Sequence, residues 1–159
     1  MYGKQWNMDL WNDSRTNTDH ANKLRNYRGF KQDFALEPYL LYIKDRETRS
    51  SLTKLRISAH KLQIEKGRYY PQRRPVKERT CTFCGNVPVE SEVHFLMYCD
   101  LYCGERGQMF ENIQSMYPVF DSLPDVEKYH FLMTVNEADA CHTVARFVRD
   151  SIRRRSQIM

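Results

Sequence analysis

The sequence predicts a small, mainly α-helical domain with one CCHC knuckle and little or no sheet, and three observations support this. Apolar residues recur at helical spacing, Leu52, Leu55, Ala59 and Leu62 in one segment and Cys141, Val144, Val148 and Ile152 in another. No stretch alternates apolar and polar residues for long enough to build a large sheet. Cys81, Cys84, His94 and Cys99 form a C-x2-C-x9-H-x4-C array, a spacing that folds around a tight turn.

Residues 1–45 form the expected N-terminal helical arm, with a helix over Asn12 to Arg28 among the aromatic residues Trp6, Trp11, Tyr27, Phe30 and Phe34. Pro38 suits the first turn of a short helix over Tyr39 to Lys44, where its missing N–H has no partner to lose. Residues 46–118 are expected to hold a basic helix and the CCHC module. The Leu52-to-Leu62 stripe predicts a helix ending near Gly67, since glycine is favoured just past a helix C-terminus. Tyr69 to Pro75, with two prolines and two arginines, predicts an extended basic connector. Gly85, just after the second cysteine, suits a sharp bend. Glu90, Ser91 and Glu92 supply a cap and first-turn acids for a helix opening near Val93. Further helices are expected over Cys103 to Met116, Pro124 to Met133 and Glu137 to Arg155, with residues 119–159 forming a C-terminal helical part. In the last helix Arg146, Arg149 and Arg153 fall opposite the apolar stripe.

The chain of 159 residues has a mean hydropathy of -0.73. Its longest apolar stretches fall far short of the ~20 residues of a membrane helix. The first residues show neither an apolar leader nor an organelle-targeting bias, so a nuclear or cytoplasmic location is expected and no membrane partner. Formal charge is +5, and the excess is clustered. Nine Lys/Arg lie between Lys54 and Arg79 against Glu65 and Glu78 alone. Clustering of this kind favours a polyanion, because phosphate contacts release counterions. Lys54, Arg56, Lys61, Arg68, Tyr69, Arg73, Arg74 and Arg79 are the expected nucleic-acid-binding residues, with Tyr69 and Tyr70 placed to stack on unpaired bases of RNA or DNA.

Without a secretory signal, the cysteine spacing favours a metal over disulfides. Three thiolates and an imidazole in a tetrahedral set suit a structural Zn²⁺, with Cys81, Cys84, His94 and Cys99 as ligands. His94 and Cys99 are five apart, about 140° around an ideal helix, so both reach one ion only if the helix tightens or unwinds near Tyr98. Cys103 is the rival fourth ligand. Cys141 sits on an apolar stripe and is expected in the core, and His142 at the surface. A closed ligand set leaves no position for substrate water. No phosphate-binding glycine loop, H-E-x-x-H helix or deaminase pattern occurs, so no catalytic residue is expected and the chain does not read as an enzyme.

Leu55-Arg56, His60-Lys61-Leu62, Ile64-Glu65, Gly67-Arg68-Tyr69, Cys81-x-x-Cys84, Glu92-x-His94-Phe95-Leu96, Cys99 and Tyr102 together resemble a known segment. It is the zinc-binding region C-terminal to the polymerase in reverse transcriptases of LINE-type, non-LTR retrotransposons. The likeness is strongest from Leu52 to Phe110. It implies Cys81, Cys84, His94 and Cys99 as ligands and a role in gripping template RNA or target DNA. Asp100 stands where the family commonly has proline. The polymerase itself is missing from these 159 residues, and no adjacent Asp-Asp pair occurs. Expected partners are therefore RNA or DNA, a separate polymerase domain, or a second copy. A zinc-stabilised protein-interaction or structural module is the alternative, suggested by the aromatic N-terminal segment and the acidic block Asp121, Asp125, Glu127, Glu137 and Asp139.

Overall fold

The computed structural model describes residues 24, 26–31, 33–69, 71, 73–85 and 88–158. Most of the helix expected over Asn12 to Arg28, with Trp6 and Trp11, lies outside them. The described chain is helical, as expected: α1 (Tyr27–Phe30), α2 (Tyr39–Tyr42), α3 (Arg46–Arg56), α4 (Gln63–Lys66), a π-helix over His94–Tyr98, α5 (Cys103–Met116), α6 (Asp125–Thr134) and α7 (Ala138–Ile158). Among the described residues the only β pairing is an isolated bridge between Thr80 and Val89.

The long helix α7 organises the core. Its Cys141, Val144, Ala145, Phe147 and Val148 are buried, and it packs on α3 and α5. From α3 come Leu52 and Leu55, and from α5 Met109 and Ile113. Phe95 and Tyr102, on either side of the knuckle's last cysteine, join Phe147 in an edge-to-face cluster with centroids 5.0 to 6.5 Å apart. The knuckle is thus rooted in the same apolar core as the helices, and burial of these three rings contributes several kcal/mol. Arg149 and Arg153, read as opposite the apolar stripe of α7, reach across to α3: Arg149 donates to Thr48 Oγ1 at 2.8 Å and Arg153 to Glu47 Oε1 at 2.7 Å.

One helix differs from expectation. The stripe from Leu52 to Leu62 predicts continuous helix to Gly67, but α3 stops at Arg56 and α4 restarts at Gln63. The stop is a Schellman-type cap, with Ala59 N–H on Lys54 O at 2.7 Å and Ser58 N–H on Leu55 O at 3.3 Å. Ser58 takes the left-handed position, φ 54°, that glycine usually fills. Its hydroxyl donates to Glu92 Oε1 at 2.8 Å, so a carboxylate next to the knuckle holds the break. Leu62 stays in the core at 3% exposure because the bend re-aims it rather than because the helix continues.

Candidate metal centre

Two short segments bring the four ligands together. Cys81 and Cys84 lie on a turn whose base is closed by Cys81 N–H on Pro88 O at 2.7 Å and Glu90 N–H on Arg79 O at 2.9 Å. His94 and Cys99 come from the following helix, whose first turn is capped by Ser91 Oγ accepting the His94 N–H at 3.1 Å. Of the two expected adjustments the helix takes the second, unwinding into a wider π-turn. Cys99 N–H bonds His94 O at 2.8 Å, an i→i+5 closure that brings the fifth residue round nearly above the first. The widened turn removes the angular mismatch that an α-helix would impose.

The ligand atoms of Cys81, Cys84, His94 and Cys99 all lie within 4.8 Å of one another, and all four residues are buried. Cys84 Sγ is 3.7 Å from Cys99 Sγ and 3.5 Å from His94 Nε2, and Cys81 Sγ is 3.8 Å from Cys99 Sγ. A tetrahedral ion with bonds of about 2.3 Å to sulfur and about 2.0 Å to nitrogen needs sulfur–sulfur edges of about 3.8 Å and sulfur–nitrogen edges of about 3.5 Å. The three distances match those edges and exclude a disulfide, whose sulfurs sit about 2.0 Å apart. Cys103 is exposed and outside the cluster.

Backbone donors and one cation face these sulfurs. Phe83 N–H points at Cys81 Sγ (3.5 Å) and Asp100 N–H at Cys84 Sγ (3.3 Å). The second of these is a bond that proline at position 100 could not make. Arg106, buried on α5, donates to Cys99 O at 2.9 Å and places a guanidinium beside the thiolates. Burial pushes the Cys81 and Cys99 thiols well above their usual range and the His94 imidazole below its own. Without a cation Cys81, Cys99 and His94 therefore favour their neutral forms, which attract one another little. A divalent ion offsets the desolvation of the thiolates, and the neutral imidazole is already in its ligand form.

Sequence reasoning missed the buried carboxylates around this turn. Glu90 accepts the Gln63 N–H at 2.7 Å and pairs with Arg155 of α7, while Arg155 lies over the Phe83 ring at 4.9 Å. Glu92 holds both Ser58 and His60 Nε2, the latter at 2.8 Å. Leu62 N–H on His60 Nδ1 assigns the acceptor role to that nitrogen and the proton to Nε2. Acids so near a cap read as helix-dipole partners in sequence, and their real partners lie 27 to 65 residues away. Gly85 has neither a positive φ nor a neighbour that a Cβ would meet, so the bend does not depend on it.

The basic block divides in two. Lys54, Lys61, Tyr69 and Arg73 are exposed, as is Lys77. Arg68 pairs with Glu65 at 3.0 Å, and Arg74 donates to Gln63 Oε1 at 2.6 Å. Arg56 and Arg79 do not face a polyanion, because both are buried. Arg56 pairs with Glu37 at 3.0 Å and lies over the rings of Phe30 and Tyr39. Arg79 donates to Arg74 O at 2.9 Å and Ile64 O at 2.8 Å. Tyr70 lies outside the described residues. No family model matches the chain, and no curated protein or solved structure matches it significantly.

Proposed function

We propose that this chain is a zinc-stabilised module that grips RNA or DNA and catalyses no reaction of its own. The carrying observation is a buried Cys3His set, three of whose edges match a tetrahedral ion, in a chain whose preceding basic block keeps Lys54, Lys61, Arg73 and Lys77 exposed. Thiolate-rich four-ligand sites of this kind are structural zinc sites, since no coordination position is left for water. Lys54, Lys61 and Arg73 supply phosphate contacts, Tyr69 supplies a stacking face, and Arg68 and Arg74 serve at the edge of the same surface. The likeness of Leu52 to Phe110 to the retrotransposon zinc-binding region supports the same reading. About four phosphate contacts on a duplex predict a log K against log salt slope near -3.6. A titration of the zinc-loaded chain that gives no salt dependence would overturn nucleic-acid binding.

A protein-interaction module is favoured by one separate observation. Phe34, Leu36, Leu41 and Tyr42 are 64%, 61%, 55% and 40% exposed within one short stretch. Light scattering on the native chain and on Phe34→Ser with Leu41→Ser tests it, self-association lost in the variant being the supporting result.

A further inference from the structure

We propose that the cleft between α3, α4 and α7 shelters one unpaired nucleotide of a bound single strand, a proposal that rests on the nucleic-acid reading above. The cleft has a volume of about 470 Å³, within the ~300–1,000 Å³ of small-ligand sites, so it admits a nucleotide and not a duplex. Its floor is apolar, made by Leu55, Leu62, Phe95 and Ile152, and its rim carries Lys54, Lys61 and Lys66. Among the described residues no carboxylate lines it, and none of the three lysines forms an ion pair with a described residue. The fourth cation at the cleft, Arg155, is already held by Glu90. An apolar floor under three free ammonium groups complements a base flanked by phosphates. The adjoining groove along α3 carries both signs, Asp45 and Glu47 beside Arg46 and Lys54, so the purely basic rim belongs to the cleft itself.

The polar groups inside are already committed. His60 uses Nε2 on Glu92 and Nδ1 on Leu62 N–H, and the Ser156 hydroxyl donates to Ile152 O at 3.0 Å. With these groups engaged, the apolar floor offers a stacking surface rather than a fixed pattern for base edges, and the sheltered base is accepted with little regard to its identity.

Binding of a labelled oligouridylate of about 12 nucleotides to the full zinc-loaded chain, followed by fluorescence polarisation, tests the proposal. Ser156→Trp fills the cleft from an exposed helix position. It lowers affinity about tenfold, the scale of losing one sheltered base, with the salt slope unchanged. Lys61→Ala with Lys66→Ala instead lowers the slope by about 1.4, two single-strand phosphate contacts at ~0.7 each. Photocrosslinking of 4-thiouridine RNA to the native chain needs no variant, and labels the Lys61-to-Lys66 peptide or that of Ser156. Unchanged affinity in zinc-loaded Ser156→Trp, or crosslinks confined to Tyr69 through Lys77, overturns the cleft while leaving nucleic-acid binding intact. Exclusion by Ser156→Trp of an anionic amphiphile such as oleate, with RNA unaffected, overturns it also. Absence of any salt-dependent binding by the native chain removes both proposals together.

Discussion

Cys99 and Cys103 are one helical turn apart, yet only Cys99 meets Cys81 and Cys84, because the π-helix carries it back over His94 while Cys103 begins α5 on its exposed side. Cys81→Ser and Cys99→Ser should each abolish stoichiometric zinc, whereas Cys103→Ser and Cys141→Ser should each retain one ion per chain. Elemental analysis of the purified variants decides this, and one retained zinc in Cys81→Ser would refute the site. Cys141 has a different signature. Burial pushes its thiol from 9.0 up to about 11, and its S–H reaches Val135 O at 3.1 Å. The folded state then holds that proton where the unfolded chain releases it. Its contribution to stability is full below pH 9 and is lost as pH rises towards 11. Melting temperature against pH should fall less steeply over that window in Cys141→Ser than in the native chain. The ligand set was legible in sequence because spacing encodes it directly. Burial of Arg56 and Arg79 was not, since an arginine paired with Glu37 or with backbone carbonyls has the same local sequence as one facing solvent.

At the scale of elements, α5, α6 and α7 were legible within a residue or three, α7 through the apolar stripe it turns to the core. The break between α3 and α4 was hidden because its cause, the hydrogen bond from Ser58 to Glu92, spans 34 residues. Gly67 was legible as punctuation but for the wrong reason. Its φ is -72°, which any residue adopts. A Cβ there would lie 2.7 to 2.9 Å from Cγ, Cδ and Nε of Arg79, whose guanidinium is pinned to two carbonyls and cannot swing away. Gly67→Ala should therefore cost about 1–3 kcal/mol, an overpacking penalty that displaces the connector from α4. Gly85→Ala, with open space around the new methyl, should stay within about 0.5 kcal/mol of the native chain. Urea unfolding of the zinc-loaded proteins compares them, and equal losses at the two positions would remove the Arg79 argument.

For the whole molecule, the metal cluster and the helices are two sources of order joined by specific buried contacts. Structural zinc contributes an apparent ~10–16 kcal/mol in small modules, comparable with the ~5–15 kcal/mol net stability of an entire domain. The joints to α7 are Glu90 with Arg155, Arg155 over Phe83, and the packing of Phe95 and Tyr102 on Phe147, while Glu92, Arg79 and Arg106 tie the turn to the segments around α3, α4 and α5. Removing the ion takes away the one charge that draws the four ligands together, so the turn holding Phe83 and Glu90 loses its fixed geometry. Arg155 then loses its buried carboxylate, which strongly disfavours its burial. Chelation should consequently open the segment from Arg79 to Cys103 and, with it, the last turns of α7 beyond Ile152. Val144 and Val148, held by α3 and α5, do not depend on that turn. Hydrogen exchange with and without chelator should show protection lost from residues 79–103 and 152–158 while the Val144-to-Val148 amides remain slow. Uniform loss along α7 would mean that the ion holds the whole core, and unchanged protection at residues 79–103 would mean that it holds none of it.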